Sequence, residues 1–374
     1  MSRLIYADNA ATTQLDAAAF EAMKPFLLNE YGNVSQLYSF ARKPKKAVQE
    51  ARETIAACIG AFPEEIFFTS GGTEGDNWAI KSSALLNAQK HETLTSAFEH
   101  HAVLHPCKTI ERNGYPVTYM GPSREGYITD EILRKHITDQ TFLVSVMFAN
   151  NEIGTVQPVG DLCAAAHENG ALFHTDAVQA IGHVPVNVHE LGVDMLSASA
   201  HKFNGPKGVG FFYIRKNLHF ASYADGGAQE SGLRAGTENV AGIVGMAAAL
   251  KNNCDALREN LQYVTGLESK LTEMLNASGI DYIRNGGASR LPGLLSLSFP
   301  GASGEAILHR LDLSGICIST GSACNSKSTE TSHVLQAIGL EDNYARGTIR
   351  ISLGKMNTEE DVEAIFTALA KIFL

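Results

Sequence analysis

The 374-residue chain has no apolar stretch long enough to span a bilayer, which argues against a membrane-embedded protein. It has no excess of positive charge. Lys and Arg number 30 against 40 Asp and Glu, a net charge of −10, so the electrostatic footprint for nucleic acid or an anionic membrane is missing. Its six cysteines (Cys58, Cys107, Cys163, Cys254, Cys317 and Cys324) show neither CxxC spacing nor the density of a disulfide scaffold. Neither a P-loop nor a GxGxxG motif occurs, which weakens nucleotide readings. Internal repeats and low-complexity tracts are also absent. The segment Met1-Ser2-Arg3-Leu4-Ile5-Tyr6-Ala7-Asp8 runs straight into a strand-like stretch without the apolar core of a signal peptide. The expectation is a cytoplasmic protein with reduced thiols, in which a cysteine in a polar loop is a candidate for reactivity.

What is present is alternation. Strand-like runs at Glu65–Thr69, Thr93–Ala97, Pro116–Met120, Phe142–Phe148, Ala171–His174, Met195–Ser199 and Val209–Ile214 are interleaved with helical patterns. Those helical patterns lie at Asp76–Asn87, Ala102–Asn113, Asp130–His136 and Val159–Asn169. This predicts an α/β fold with a mainly parallel central sheet covered by helices. Continuous apolar runs such as Phe142–Phe148 suit strands buried on both faces. A single long helix is expected over Glu238–Asn276, apolar in its first half and amphipathic in its second. Beyond it, strands at Leu294–Phe299, Gly315–Ser319 and Thr348–Leu353, with helices at Gly304–Asp312, Ser332–Ile338 and Thr358–Phe373, read as a smaller α+β domain. The division predicted is a large domain over residues 15–260 and a small one from residues 1–14 and 261–374.

Three motifs carry chemistry together. Thr69-Ser70-Gly71-Gly72-Thr73-Glu74 lies between a strand and a helix, where small residues and a helix N-terminus can receive an anion. Alone, it is equally an ordinary tight turn. Asp176 ends a buried strand and calls for a cationic partner, either a pyridinium nitrogen or a neighbouring Arg or Lys. Lys202 ends another strand among small residues, placed for Schiff-base chemistry or simply reaching for solvent. An anion cup, a strand-end carboxylate and a strand-end amine together match the phosphate, ring nitrogen and aldehyde of pyridoxal 5'-phosphate (PLP).

On these motifs the chain resembles the fold-type I PLP-dependent enzymes of the aminotransferase class V branch, and within them the group I cysteine desulfurases. The likeness extends from Tyr6-Ala7-Asp8-Asn9-Ala10-Ala11 through Asn150-Asn151-Glu152 to Ile349-Arg350-Ile351-Ser352. It implies Lys202 as the Schiff-base lysine, Asp176 as the pyridinium partner and Gln179 as donor to the phenolic oxygen. Gly72, Thr73, Ser199 and His201 match phosphate binders. His100 matches a histidine stacked on the ring, and Asn151 a residue beside cofactor and substrate. Thr237 matches a threonine that reaches the other subunit's phosphate, which implies a homodimer. His101 and His105, at i, i+4 beside His100 and Cys107, also allow a metal reading, but HExxH and paired CxxC patterns are missing, and no metal is expected.

Ser322-Ala323-Cys324-Asn325-Ser326 sets Cys324 among residues that could not bury it, whereas Cys58, Cys163 and Cys317 have apolar neighbours and read as packing residues. The resemblance makes Cys324 the nucleophile that takes sulfur from L-cysteine as a persulfide, with L-alanine released. The resemblance also implies a sulfur-acceptor protein, such as an iron–sulfur scaffold or a thiolation enzyme, to complete the transfer. Arg350, flanked by Ile349 and Ile351, needs an anionic partner, either the substrate carboxylate or a structural ion pair. Asn33 is implied as a substrate contact. The surrounding Asn33-Val34-Ser35-Gln36-Leu37-Tyr38 departs from the family, which usually has Pro after this Asn and His near the end of the segment. A selenocysteine lyase, a class V aminotransferase and a sulfur-delivery subunit acting through docking remain as alternatives.

Overall fold

The computed structural model describes residues 3–87, 89–320 and 331–374. Seven strands form the central sheet in the spatial order Ile66–Thr69, Gly210–Ile214, Met195–Ser199, Leu172–Asp176, Thr141–Ser145, Glu92–Ser96 and Val117–Met120. The last five run parallel. Gly210–Ile214 is antiparallel to both of its neighbours, because it follows Met195–Ser199 through a short Gly/Pro turn rather than a helical crossover. The expected mainly parallel sheet is thus a mixed one with a single reversed strand.

Adjacent side chains on these strands serve opposite faces. Val144, Phe173, Leu196 and Phe211 enter one core, and Leu143, Met195 and Phe212 the other. Burial on both sides explains the continuous apolar runs. At Gly210, a Cβ would lie 2.3 Å from the Ala198 carbonyl oxygen and 2.7 Å from Gly71 Cα. Only glycine lets the strand and the Gly71 turn approach so closely.

A second sheet of four antiparallel strands runs Ser319–Thr320, Thr348–Ser352, Leu294–Ser298, Ile283–Asn285. Its core joins Leu295, Leu297, Ile349 and Ile351 to Val264, Leu271, Ile365 and Leu369, and Ile5 and Ala7 pack into it from the other end of the chain. The expected strand Gly315–Ser319 is divided. Ile316–Cys317 pairs with Ile5–Tyr6, and Ser319–Thr320 pairs with Thr348–Ser352.

The expected single helix over Glu238–Asn276 is two helices, Val240–Asp255 and Leu257–Ser278, with Ala256 between them at φ −100°, ψ 13°. Each half answers a different core. The first buries Ile243, Met246, Ala247 and Leu250 in the larger core, and the second buries Val264, Leu267, Leu271 and Leu275 in the smaller one. Asn253 favours the break, because its side chain donates to Phe203 O (2.7 Å) as well as to Ala249 O within the helix (3.0 Å). Among the described residues, no helix is long and apolar enough to cross a membrane.

Candidate active site

The site collects at the C-terminal ends of the central strands, where an open α/β sheet leaves a crevice. Asp176 and Ser199 are the last residues of their strands, and Lys202 closes the single turn Ala200–Lys202 that follows Ser199. The helix Gly72–Leu86 begins directly after the strand Ile66–Thr69, and Gly71 at its N-cap supplies no side chain to its first N–H groups. Those donors and the helix dipole are therefore left for an anion. Ser199 stands beside them, its Oγ 3.3 Å from where a Cβ on Gly71 would lie. A Cβ on Gly72 would meet Val178 Cγ2 at 2.4 Å, so a larger residue there would have to displace that methyl. Thr73 is exposed on the same turn.

Lys202 Nζ donates to the carbonyl oxygens of Ala10 (2.6 Å) and Ala11 (2.9 Å), and Gln179 Nε2 donates to the same Ala10 oxygen (2.9 Å). Asp176 is buried and accepts one N–H, from Val178 at 2.9 Å. Burial pushes its carboxyl up to about 6, while that bond and the Lys202 charge pull it back. His100 Nδ1 accepts from Ala102 N at 3.1 Å, capping the helix His101–Arg112 and leaving the neutral ring's proton on Nε2. Burial, and then the nearby Lys202 charge, pull its pKa down to about 4. His201 Nδ1 lies 3.1 Å from Thr12 Oγ1.

The remaining candidates lie further out. Arg350 is buried and committed to protein partners, with one terminal nitrogen on Asp8 Oδ1 (2.7 Å) and the other on Asn151 O (2.8 Å), while its Nε has none. The structural ion pair is therefore present in this arrangement. Asn33 Oδ1 accepts from Ser35 N (2.9 Å) in a local turn. Thr237 is exposed, three residues beyond Arg234, whose guanidinium grips Glu74 of the cup helix at 2.8 and 3.2 Å. Cys324 lies outside the described residues. Cys163 and Cys107 are buried, whereas Cys58 and Cys317 are only partly so, less enclosed than their neighbours in sequence suggest. His101 lies tilted against His105 and His333, each at 5.0 Å between ring centroids. Among the described residues, no group of three or more His, Cys, Asp and Glu is arranged to hold a metal ion.

Sequence reasoning overlooked the Ala10 and Ala11 carbonyls, Asp8, and the buried acids Asp76, Glu99 and Glu152. Glu152 Oε2 accepts from Ser332 Oγ at 2.5 Å, and burial pushes its carboxyl up to about 7. Glu99 adjoins His100. Its Oε1 accepts from Ser96 Oγ (2.6 Å) and Met147 N (2.8 Å), and its Oε2 has no partner. Burial pushes its carboxyl up to about 8. A carboxyl raised on folding contributes its full stability below its unfolded value of 4.5 and loses it as pH climbs towards 8. Glu99→Gln keeps an acceptor for both bonds but cannot ionise. Its melting temperature relative to wild type should therefore rise between pH 6 and pH 8, by the equivalent of about 1.4 kcal/mol per pH unit, and level off above that. A pH-independent difference would refute the assignment.

The donors present fit PLP. An uncapped helix end with a hydroxyl beside it suits a phosphate, a buried carboxylate suits a ring-nitrogen proton, and a primary amine suits an aldehyde. Residues 5–365 match the Aminotransferase class-V family, whose members use this cofactor. The chain is 47% identical over 374 residues to cysteine desulfurase IscS of Dictyoglomus turgidum, covering 100% of this chain and 95% of that protein. It is 44% identical over 372 residues to the IscS of Methanosarcina thermophila, covering 99% and 92%. Among solved structures, a NifS-like protein superposes with a TM-score of 0.93 at 39% identity over 99% of both chains. A structure described as SspA in complex with cysteine does so with a TM-score of 0.84 at 36% identity, covering 95% of this chain and 100% of that one. With likeness at this level over its whole length, the chain belongs to the class-V aminotransferase family, in its cysteine desulfurase branch.

Proposed function

We propose that this cysteine desulfurase takes L-cysteine as substrate, receives its sulfur as a persulfide on Cys324 and releases L-alanine. The convergence of Lys202, Asp176 and the uncapped Gly72 helix carries the reading. PLP, when bound, supplies an electron sink that makes the substrate's Cα proton and C–S bond labile. Gly72, Thr73, Ser199 and His201 would hold its phosphate, Lys202 its aldehyde carbon, Gln179 its phenolic oxygen and Asp176 its ring-nitrogen proton. Asn151 would lie beside cofactor and substrate.

Every other step belongs to the chain's own groups. Arg350 takes the substrate carboxylate, exchanging the Asp8 contact for it or using the unpartnered Nε. Lys202, freed of the aldehyde, moves the Cα proton. His100, kept neutral by burial, exchanges the thiol proton through Nε2. The Cys324 thiolate bonds to the substrate sulfur, the C–S electron pair stays with the three-carbon fragment, and a proton completes alanine. We assign residues 15–260 to cofactor binding, and residues 1–14 with 261–374 to the part carrying Cys324. Thr237 serves the partner's phosphate in a homodimer, and Asn33 contacts the incoming substrate. A sulfur-acceptor protein takes the persulfide onward.

The test is product stoichiometry. PLP-loaded protein given L-cysteine and a thiol reductant should release alanine and sulfide in equal amounts. A keto acid formed without sulfide would mark a transaminase and overturn the reading.

A further inference from the structure

Beneath Asp176 lies a second carboxyl that the mechanism above does not use. Asp76, in the first turns of the helix Gly72–Leu86, is 1% exposed, no N–H donates to its oxygens, and the neighbouring Ser197 hydroxyl is the group that supports its anion. His174 faces it from the strand Leu172–Asp176, with Nε2 3.5 Å from Asp76 Oδ1. That ring is wholly buried and bridges two hydroxyls, Ser145 Oγ at 2.9 Å and Ser197 Oγ at 3.1 Å. Ser197 stands beside Asp76 from the strand Met195–Ser199, in register with Asp176. Gly75 makes room for it, since a Cβ there would come within 2.7 Å of Ser197 Oγ. Asp176 lies two residues from His174, on the same face of its strand. The other charged neighbour is Glu99.

Asp176 raises the cost of ionising Asp76, and two buried carboxylates that repel one another do not both ionise. The proton goes to the poorer anion site. Asp176 has the Val178 N–H and the Lys202 charge to support it, whereas Asp76 has a single neutral hydroxyl, that of Ser197, and two acidic neighbours. His174 supplies no countercharge, because burial holds it neutral with a pKa near 3. We propose that Asp76 is a positioning residue that stays protonated at neutral pH, so that Asp176 is the single anion facing the cofactor's ring nitrogen. The proposal rests on the assignment of Asp176 made above and adds the group that keeps it charged. Burial pushes the Asp76 carboxyl well above the usual range, in the same direction.

The experiment is carbon-13 NMR of cofactor-free protein labelled at aspartate carboxyls, titrated from neutral to alkaline pH. One buried aspartate should resonate as a neutral acid at neutral pH, and Asp76→Asn should remove that signal. Asp176→Asn should move its midpoint to lower pH, because the neighbouring anion is gone. A buried aspartate that does not feel the Asp176 charge would not respond in this way. Asp76→Asn, which mimics the neutral acid, should bind PLP as wild type does. Absence of a neutral aspartate at neutral pH, or a midpoint indifferent to Asp176→Asn, overturns the proposal. If Asp76→Asn does not fold, the labelled wild type and Asp176→Asn still decide it. PLP binding and turnover that survive in Asp176→Asn would instead overturn the assignment of Asp176, a result read separately from the titration.

Discussion

Lys202→Ala is expected to lower alanine formation from L-cysteine by at least about a thousandfold, since one change removes both the amine that holds the cofactor and the base that moves the Cα proton. The obvious objection is structural. Nζ also donates to Ala10 O and Ala11 O, and stripping those bonds costs about 1–3 kcal/mol for each carbonyl left buried and unpaired. Ala10 O keeps its bond from Gln179, so the loss falls mainly on Ala11. Lys202→Arg separates the two effects. Its guanidinium retains charge and donors for both carbonyls but is never deprotonated, so it cannot act as an amine nucleophile or base. Lys202→Arg should therefore melt near the wild-type temperature yet be as inactive as Lys202→Ala. Borohydride reduction of the loaded wild type should fix the cofactor to the peptide containing Lys202, and neither variant should be labelled. Activity retained in Lys202→Arg, or label on another lysine, would refute the role.

How much of this was legible beforehand depended on how local the determining contacts are. The central strands could be read because burial on both faces leaves a continuous apolar run. Asp176 and Lys202 stood out because a charged residue ends such a run. The helix Arg42–Ile59 was passed over although Val48, Ala51, Ile55 and Ile59 recur at helical spacing. The helix Ala17–Leu28 offered less. It contains Pro25 and buries only Ala19, and it forms by packing on Val240–Asp255, far away in sequence. The partners of the site residues were invisible for the same reason. Arg350 meets Asp8 across 342 positions, and Lys202 reaches Ala10 across 192. Asp76 was hidden differently: an acid in the first turns of a helix is what the dipole favours at a surface, and nothing local reveals that this one is buried. The break at Ala256 likewise needs two cores, and only one amphipathic pattern shows in the chain.

Cys324→Ala should divide the chemistry in two. Cofactor loading and the binding of L-cysteine draw on Lys202, Asp176 and Arg350, none of which is a thiol, so both should persist in the variant. Sulfur removal needs a thiolate, and persulfide and sulfide should fall by on the order of a thousandfold. The other cysteines are poor substitutes. Burial pushes the Cys163 thiol up to about 12 and raises Cys107 further still, and Cys317 is raised as well. A hydrogen bond couples Cys58 and Cys254, raising the first thiol and lowering the second. Cys254 is therefore the one competitor among the described cysteines. It sits where the helices Arg42–Ile59 and Val240–Asp255 meet, its Sγ 4.0 Å from Cys58 O. Mass spectrometry after incubation with L-cysteine should consequently find one added sulfur on the peptide containing Cys324 and none on that containing Cys254. Cys254→Ser should turn over as wild type does. Sulfur on Cys254, or alanine and sulfide made at the wild-type rate by Cys324→Ala, would mean that the nucleophile is elsewhere.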